Sequence, residues 1–282
     1  MTTSNHTRFE LVSALRQQLE AGIDIALDNQ PGEHADFHWQ HDTIISRTDM
    51  PPPVVSGEKA ADTVTHQTAP PSSPHHKSLF AENFGHIRYP AFERITSLSD
   101  LKHAMERFDG CALKKTASNL VFADGHEQAE IMIIGEAPGR DEDRMGLPFV
   151  GAAGQLLDKM LRAIGLHRND VYITNILPWR PPGNRTPSAE EVQMMTPFLS
   201  HHIRLKSPKI IFALGGSSAK LLLNSQQGIM KLRGRLAKLQ LEGAEQIDVL
   251  PSLHPAYLLR APAMKKLAYT DLLTLKKLSS SL

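Results

Sequence analysis

Apolar residues first take up a helical rhythm between Thr7 and Asp28, where Leu11, Leu15 and Leu19 recur every four residues and Ile23 and Leu27 continue the stripe. Pro31 ends the pattern, so residues 1–30 are predicted to hold a short amphipathic helix. From Pro31 to about Glu82 no apolar period survives. That stretch carries seven prolines and six histidines, with the runs Pro51-Pro52-Pro53 and Pro70 to His76. Such a composition buries too little apolar surface to offset the entropy of ordering. Residues 31–85 are therefore expected to be a disordered linker, and the irregular spacing of its histidines reads as polar composition rather than a metal site.

Regular patterning returns at about residue 86. Leu98 to Phe108 reads as a helix, and Glu130 to Ile134 is a compact apolar run suited to a buried strand. Gly151 to Ile164 is helical, with Leu156, Leu157, Met160, Leu161 and Ile164 on one face. Val171 to Ile176 is a second strand. Ser188 to Lys206 is a helix opened by Thr186 and Pro187, with Glu190 and Glu191 placed to suit its N-terminal dipole. Lys209 to Leu214 is a third strand, ended by Gly215-Gly216, and a helix follows to Asn224. Ile247 to Leu250 is a fourth strand, and Ala263 to Leu278 closes the chain as a basic helix. Strands alternating with helices imply an α/β domain over residues 86–282. Its expected form is a three-layer α/β/α stack around a central, mostly parallel four-stranded sheet. Such sheets bind ligands beyond the C-terminal ends of their strands, which directs attention to the residues from Gly135, Asn175, Gly215 and Ser252 onward.

Composition narrows the choices. With 282 residues and 41% hydrophobic content the chain can bury a real core. It has no run of roughly 20 apolar residues, as a membrane span would need, and Met1 to Glu10 lacks the apolar stretch of a signal peptide. A soluble, cytoplasmic protein without membrane attachment is expected. The single cysteine, Cys111, excludes an internal disulfide and a cysteine-built metal cage. The net charge of +1 conceals an asymmetry: Ser200 to Leu282 holds 13 Lys/Arg against 4 Asp/Glu, and the rest holds 18 against 26. A basic C-terminal part suits a polyanionic partner, although a solvated lysine-rich helix has the same composition.

The strand-end segments carry the chemistry. Gly135 to Asp158 reads GEAPGRDEDRMGLPFVGAAGQLLD. Its glycine spacing is not that of a phosphate loop, and Glu136, Asp141, Glu142 and Asp143 would repel a phosphate. A neutral ligand or a cationic transition state fits better. After Asn175 comes Pro178-Trp179-Arg180-Pro181-Pro182-Gly183-Asn184-Arg185, a stiff loop on which Arg180 and Arg185 suit phosphate contacts. Ser252 to Arg260 places a histidine, two leucines and an arginine at one strand end.

GEAPG with GLPFVG, TNILPWRPPGNRTP and HPAYLLR, in this order, resemble the signature motifs of the family-4, iron–sulfur type of uracil-DNA glycosylases. KKTASNLVFADG and KLRGR are shorter echoes. The resemblance runs from about Leu98 to the C-terminus. It implies hydrolysis of the N-glycosidic bond of a flipped-out deoxyuridine in DNA, releasing uracil and leaving an abasic site for base excision repair. The implied pocket is Gly135, Ala137, Glu142, Phe149, Asn175 and His254. An asparagine amide can accept from uracil N3–H and donate to O4, the reverse of what cytosine offers, although an asparagine after a strand also often satisfies a loop backbone. Phe149 would stack on the base and Glu142 would crowd C5 against thymine. His254 would hydrogen-bond O2 as it turns negative, and Glu136 would orient water or stabilise the sugar cation. Ala137 stands where some related glycosylase families have an aspartate, so no strong general base is obvious. Leu258 or Leu259 would wedge into the base stack, unless they are helix core. Arg180, Arg185, Arg233 and Arg260 would grip phosphates.

One part of the family pattern is missing. By resemblance, the four cysteines that hold a [4Fe–4S] cluster fall on Phe108, Cys111, Trp179 and Met195, so one thiol of four remains. No cofactor is therefore expected, and large apolar side chains are expected to fill the cluster's volume. Two further readings stay open. One is a catalytically silent DNA- or lesion-binding descendant of the family. The other, compatible with either, has the N-terminal extension recruiting a repair or replication protein to a monomeric enzyme.

Overall fold

The computed structural model describes residues 87–241 and 244–282. The expected N-terminal helix and linker lie outside the described residues. The elements are α1 (Leu98–Arg107), β1 (Asp124–Gly125), β2 (Ile131–Gly135), α2 (Arg140–Met145), α3 (Ala152–Arg162), β3 (Val171–Asn175), α4 (Ala189–Lys206), β4 (Ile210–Leu214), α5 (Gly216–Leu222), α6 (Ile229–Leu232), β5 (Ala237–Leu239), β6 (Ile247–Ser252), α7 (Pro255–Arg260) and α8 (Lys265–Ser279).

The sheet order is β1-β3-β2-β4-β6-β5. Its four central strands are parallel, as the sequence predicts. The sheet nonetheless has six strands, not four, because β1 and β5 pair antiparallel at its two edges. Two or three residues without an apolar run leave no periodic signal, and pairing along an existing edge defines such strands.

Side chains alternate across the sheet. Met132, Ile134, Tyr172, Ile211, Ala213 and Val249 join one core with residues of α1 and α4. Ile131, Ile133, Val171, Ile173, Phe212 and Leu250 join the other with residues of α3, α7 and α8. Both faces are thus covered, which explains strands that are apolar at every position. The start of α4 is fixed by a reciprocal cap: the Ser188 hydroxyl accepts from Glu191 N–H, and the Glu191 carboxylate accepts from Ser188 N–H at 2.8 Å.

Candidate active site

Gly135 ends β2 and registers with Asn175 at the end of β3. A Cβ at Gly135 would lie 2.4 Å from Asn175 Oδ1 and 2.6 Å from Cζ of Phe149. The glycine is therefore needed for space, since the amide and the ring both rest on its backbone. Phe149 is buried and has φ +52°, a left-handed conformation costly for an aromatic residue, on the order of 1–3 kcal/mol. The ring of His254 lies 5.6 Å from that of Phe149, tilted by 30°. Gly215 supports the histidine from β4: its φ is +94°, and a Cβ there would stand 3.2 Å from His254 Cβ. Three strand ends thus bring Asn175, Phe149 and His254 together.

His254 caps α7, its Nδ1 accepting from Ala256 N–H at 3.1 Å. With Nδ1 an acceptor, a neutral ring carries its proton on Nε2, making Nε2 a donor. Burial, reinforced by the Arg260 cation, pushes the histidine down to about 4, so it is neutral at physiological pH. Glu136 follows Gly135, and its carboxylate accepts a short hydrogen bond from the Ser217 hydroxyl on α5. Beside it, Ala137 packs toward the α1/α4 core.

Other predicted residues occupy less expected places. Glu142 is buried with both oxygens engaged: one accepts from Gly139 N–H, the other from Val150 and Gly151 N–H at 3.0 and 2.8 Å. The carboxylate thereby closes the loop that carries Phe149. Leu258 is 1% exposed and belongs to the α3/α8 core, whereas Leu259 is 46% exposed. Of the two expected wedges, only Leu259 is available. Arg233 also turns inward. It pairs with buried Asp271 at 2.5 Å and donates to Leu267 O, so it ties α8 to the segment after α6 instead of reaching outward. Asp271 in turn accepts from Ser252 at the end of β6, 2.7 Å away. Arg185 spends its fork on Glu191, at 2.6 and 2.9 Å, and holds that carboxyl below its usual range. Arg180 donates to Asn184, and Arg260 is exposed.

Several supporting residues escaped the sequence. Arg168 donates to the carbonyls of Pro148 and Phe149, with the Phe149 bond at 3.0 Å, and pairs with Asp124 and Asp158. Asp143 accepts from Ser118 N–H, anchoring α2. Ser217 is a further case. Asp143 lies within the Gly135–Asp158 segment, but its role was not readable there, and Arg168 and Ser217 lie in no motif; each acts through a partner distant in sequence.

The positions matched to cluster cysteines lie elsewhere in the fold. Phe108, Cys111, Trp179 and Met195 are all buried in the α1/α4 core. Phe108 stacks on Tyr89 at 5.7 Å and meets Phe198 at 4.8 Å. Its ring crowds Gly110 so closely that a Cβ there would stand 2.4 Å from Cζ. A phenylalanine, a tryptophan and a methionine at these positions supply no thiolate, and their side chains fill the space. The donor set does not fit the cluster. Among the described residues no group of three or more His, Cys, Asp or Glu is placed to hold a metal ion.

Residues 122–274 match the protein family described as the uracil DNA glycosylase superfamily. The chain is 40% identical to the type-4 uracil-DNA glycosylase of Archaeoglobus fulgidus over 176 residues, 61% of this chain and 88% of the relative. It is 40% identical to that of Pyrobaculum aerophilum over 172 residues, 60% of this chain and 87% of the relative. The chain belongs to the type-4 branch of the uracil-DNA glycosylase superfamily. Within this branch it is a variant depleted of cluster ligands, since Cys111 is its single cysteine. Among the described residues no helix is long and apolar enough to cross a membrane.

Proposed function

We propose that the protein is a monofunctional uracil-DNA glycosylase that hydrolyses the N-glycosidic bond of a flipped-out deoxyuridine and leaves an abasic site. The observation that carries this reading is the convergence on Gly135, where the Asn175 amide and the Phe149 ring meet beside a neutral His254. Flipping unstacks the nucleotide and delivers uracil to this set. Phe149 stacks on the base. Asn175 pairs with N3–H and O4, and cytosine would leave those buried groups unpaired at about 1–3 kcal/mol each. As the bond to the sugar breaks, charge gathers on O2, and His254 Nε2–H donates to it. A neutral donor suits this task because it stabilises the anion without surrendering its proton beforehand. Glu136, held by Ser217, faces the cationic sugar and orients the attacking water. Leu259 fills the vacated stack, and Arg260 and Arg180 contact phosphates.

No cofactor enters this chemistry. Packing around Phe108, Trp179 and Met195 takes over the cluster's structural role. The protein acts as a soluble, cytoplasmic monomer on uracil-containing DNA, and its N-terminal extension recruits a repair or replication partner. Release of uracil from a labelled oligonucleotide tests the reading, with thymine and cytosine controls and an Asn175→Ala variant. Cleavage at uracil alone, lost in the variant, is expected. Binding without cleavage would overturn the enzyme and favour a silent lesion-binding protein.

A further inference from the structure

We propose that Arg168 is a positioning residue that holds the base-stacking ring of Phe149 over its site; this rests on the pocket reading above. Arg168 stands in the short turn before β3 and takes no part in the strand-end constellation, yet its guanidinium reaches four oxygens. Nη2 donates to Pro148 O, and Nη1 to Phe149 O at 3.0 Å. Nε pairs with Asp124 of β1 at 2.6 Å, and Nη1 also pairs with Asp158 of α3 at 3.0 Å. Two carbonyls and two carboxylates thus engage all three nitrogens and fix the guanidinium plane. Only a planar fork can satisfy this arrangement; an ammonium is a point charge.

The clamp acts on the residue that most needs one. Phe149 is held at φ +52°, which a bulky side chain does not choose unaided. Its carbonyl is turned onto α3 at Gly154, where a Cβ would stand 1.7 Å from Phe149 O, so the helix leaves room for that carbonyl and nothing else. Arg168 then pins the same oxygen. With its carbonyl fixed, the Phe149 ring is aimed at Gly135 and stands against His254. Released from the clamp, residue 149 relaxes toward negative φ and the ring leaves the position in which uracil would stack.

Stacking acts on the bound base before and during bond cleavage, so a loosened ring weakens binding more than it slows the chemical step. Arg168→Lys is expected to raise KM for a uracil oligonucleotide, and the inhibition constant of free uracil, each about tenfold, with kcat within about threefold of wild type. Asp158→Asn, which removes one brace, is expected to follow in the same direction by a smaller factor. Exposed Arg162→Ala is the unchanged control. A surface recess of about 240 Å³, lined by Asp158, Arg162, His167, Arg168 and Asn169, opens beside the guanidinium. It gives a small solute access to the space left in Arg168→Ala. Guanidinium ion at tens of millimolar is therefore expected to restore uracil inhibition to Arg168→Ala and not to Phe149→Ala.

A fluorine label on the ring of residue 149 reads the same claim without turnover. One sharp resonance is expected in wild type, and a shifted or broadened one in Arg168→Lys and Arg168→Ala that guanidinium recovers in the latter. A wild type that releases no uracil would refute the proposed reaction and leave the resonance to judge the clamp. An Arg168→Lys protein with the wild-type resonance and wild-type uracil inhibition would overturn the proposal. So would an Arg168→Ala protein whose losses follow its melting temperature and do not respond to guanidinium.

Discussion

Two regions of this molecule have met opposite demands. At the strand ends, Gly135, Phe149, Asn175 and His254 are held in a tight and partly strained arrangement. At the positions matched to cluster cysteines, polar donors have given way to Phe108, Trp179 and Met195, interlocked with Tyr89 and Phe198. Shape and volume can be supplied by many combinations of apolar side chains. A donor aimed at a developing charge, or an amide matched to one base edge, has no such substitute. The contrast is between positions that must fill volume and positions that must aim a polar group.

Phe108→Ala is expected to cost about 3–5 kcal/mol of stability, read by denaturant titration, while kcat of the folded protein stays within a few-fold. A comparable loss of kcat in fully folded protein would mean the core does more than support. The opposite signature belongs to His254→Ala: a fall in kcat of about 100- to 1000-fold with little change in melting temperature. Two adjacent leucines draw the same line within one turn of helix. Leu258→Ala is expected to cost at least about 2 kcal/mol of stability, whereas Leu259→Ala leaves stability alone and lowers kcat/KM on duplex DNA more than on single strands.

Protonation acts on the fold as a whole, gradually with pH. Burial pushes His202 down to about 3 and His254 to about 4. Unfolding returns both to their ordinary value near 6.5, so the unfolded chain binds more protons between those limits. Stability is therefore fully present above about pH 6.5 and declines as pH falls toward 4 and below, at up to about 1.4 kcal/mol per pH unit for each histidine. Urea titrations across pH 4–8 should show this slope, and His202→Gln should flatten it. The pH–rate profile should lack a histidine break near 6.5, since the donor stays neutral down to about 4.

The four central strands, the helices α1, α3, α4, α5 and α8 and the segments that follow the strands were legible in the sequence, because apolar periodicity and strand-end position are local signals, whereas the short helices α2, α6 and α7 were not. The two edge strands were not, since Asp124–Gly125 and Ala237–Leu239 acquire their state from a neighbour. Residue types at the site were legible, but not the direction in which side chains point. Nothing local distinguishes Leu258 from Leu259, or tells that Glu142 closes a loop and Arg233 faces Asp271. Arg168 shows the limit most plainly: its partners Asp124, Pro148, Phe149 and Asp158 come together only in the fold.

If apolar packing carries the structural load of the cluster and the strand-end site does the chemistry, iron is dispensable. The decisive measurement is uracil release by protein that has been air-exposed, treated with a strong chelator and assayed for iron. Full, uracil-specific cleavage and an unchanged melting temperature are expected at an iron content far below one atom per chain. Activity that rises and falls with bound iron would show instead that the chemistry depends on a metal.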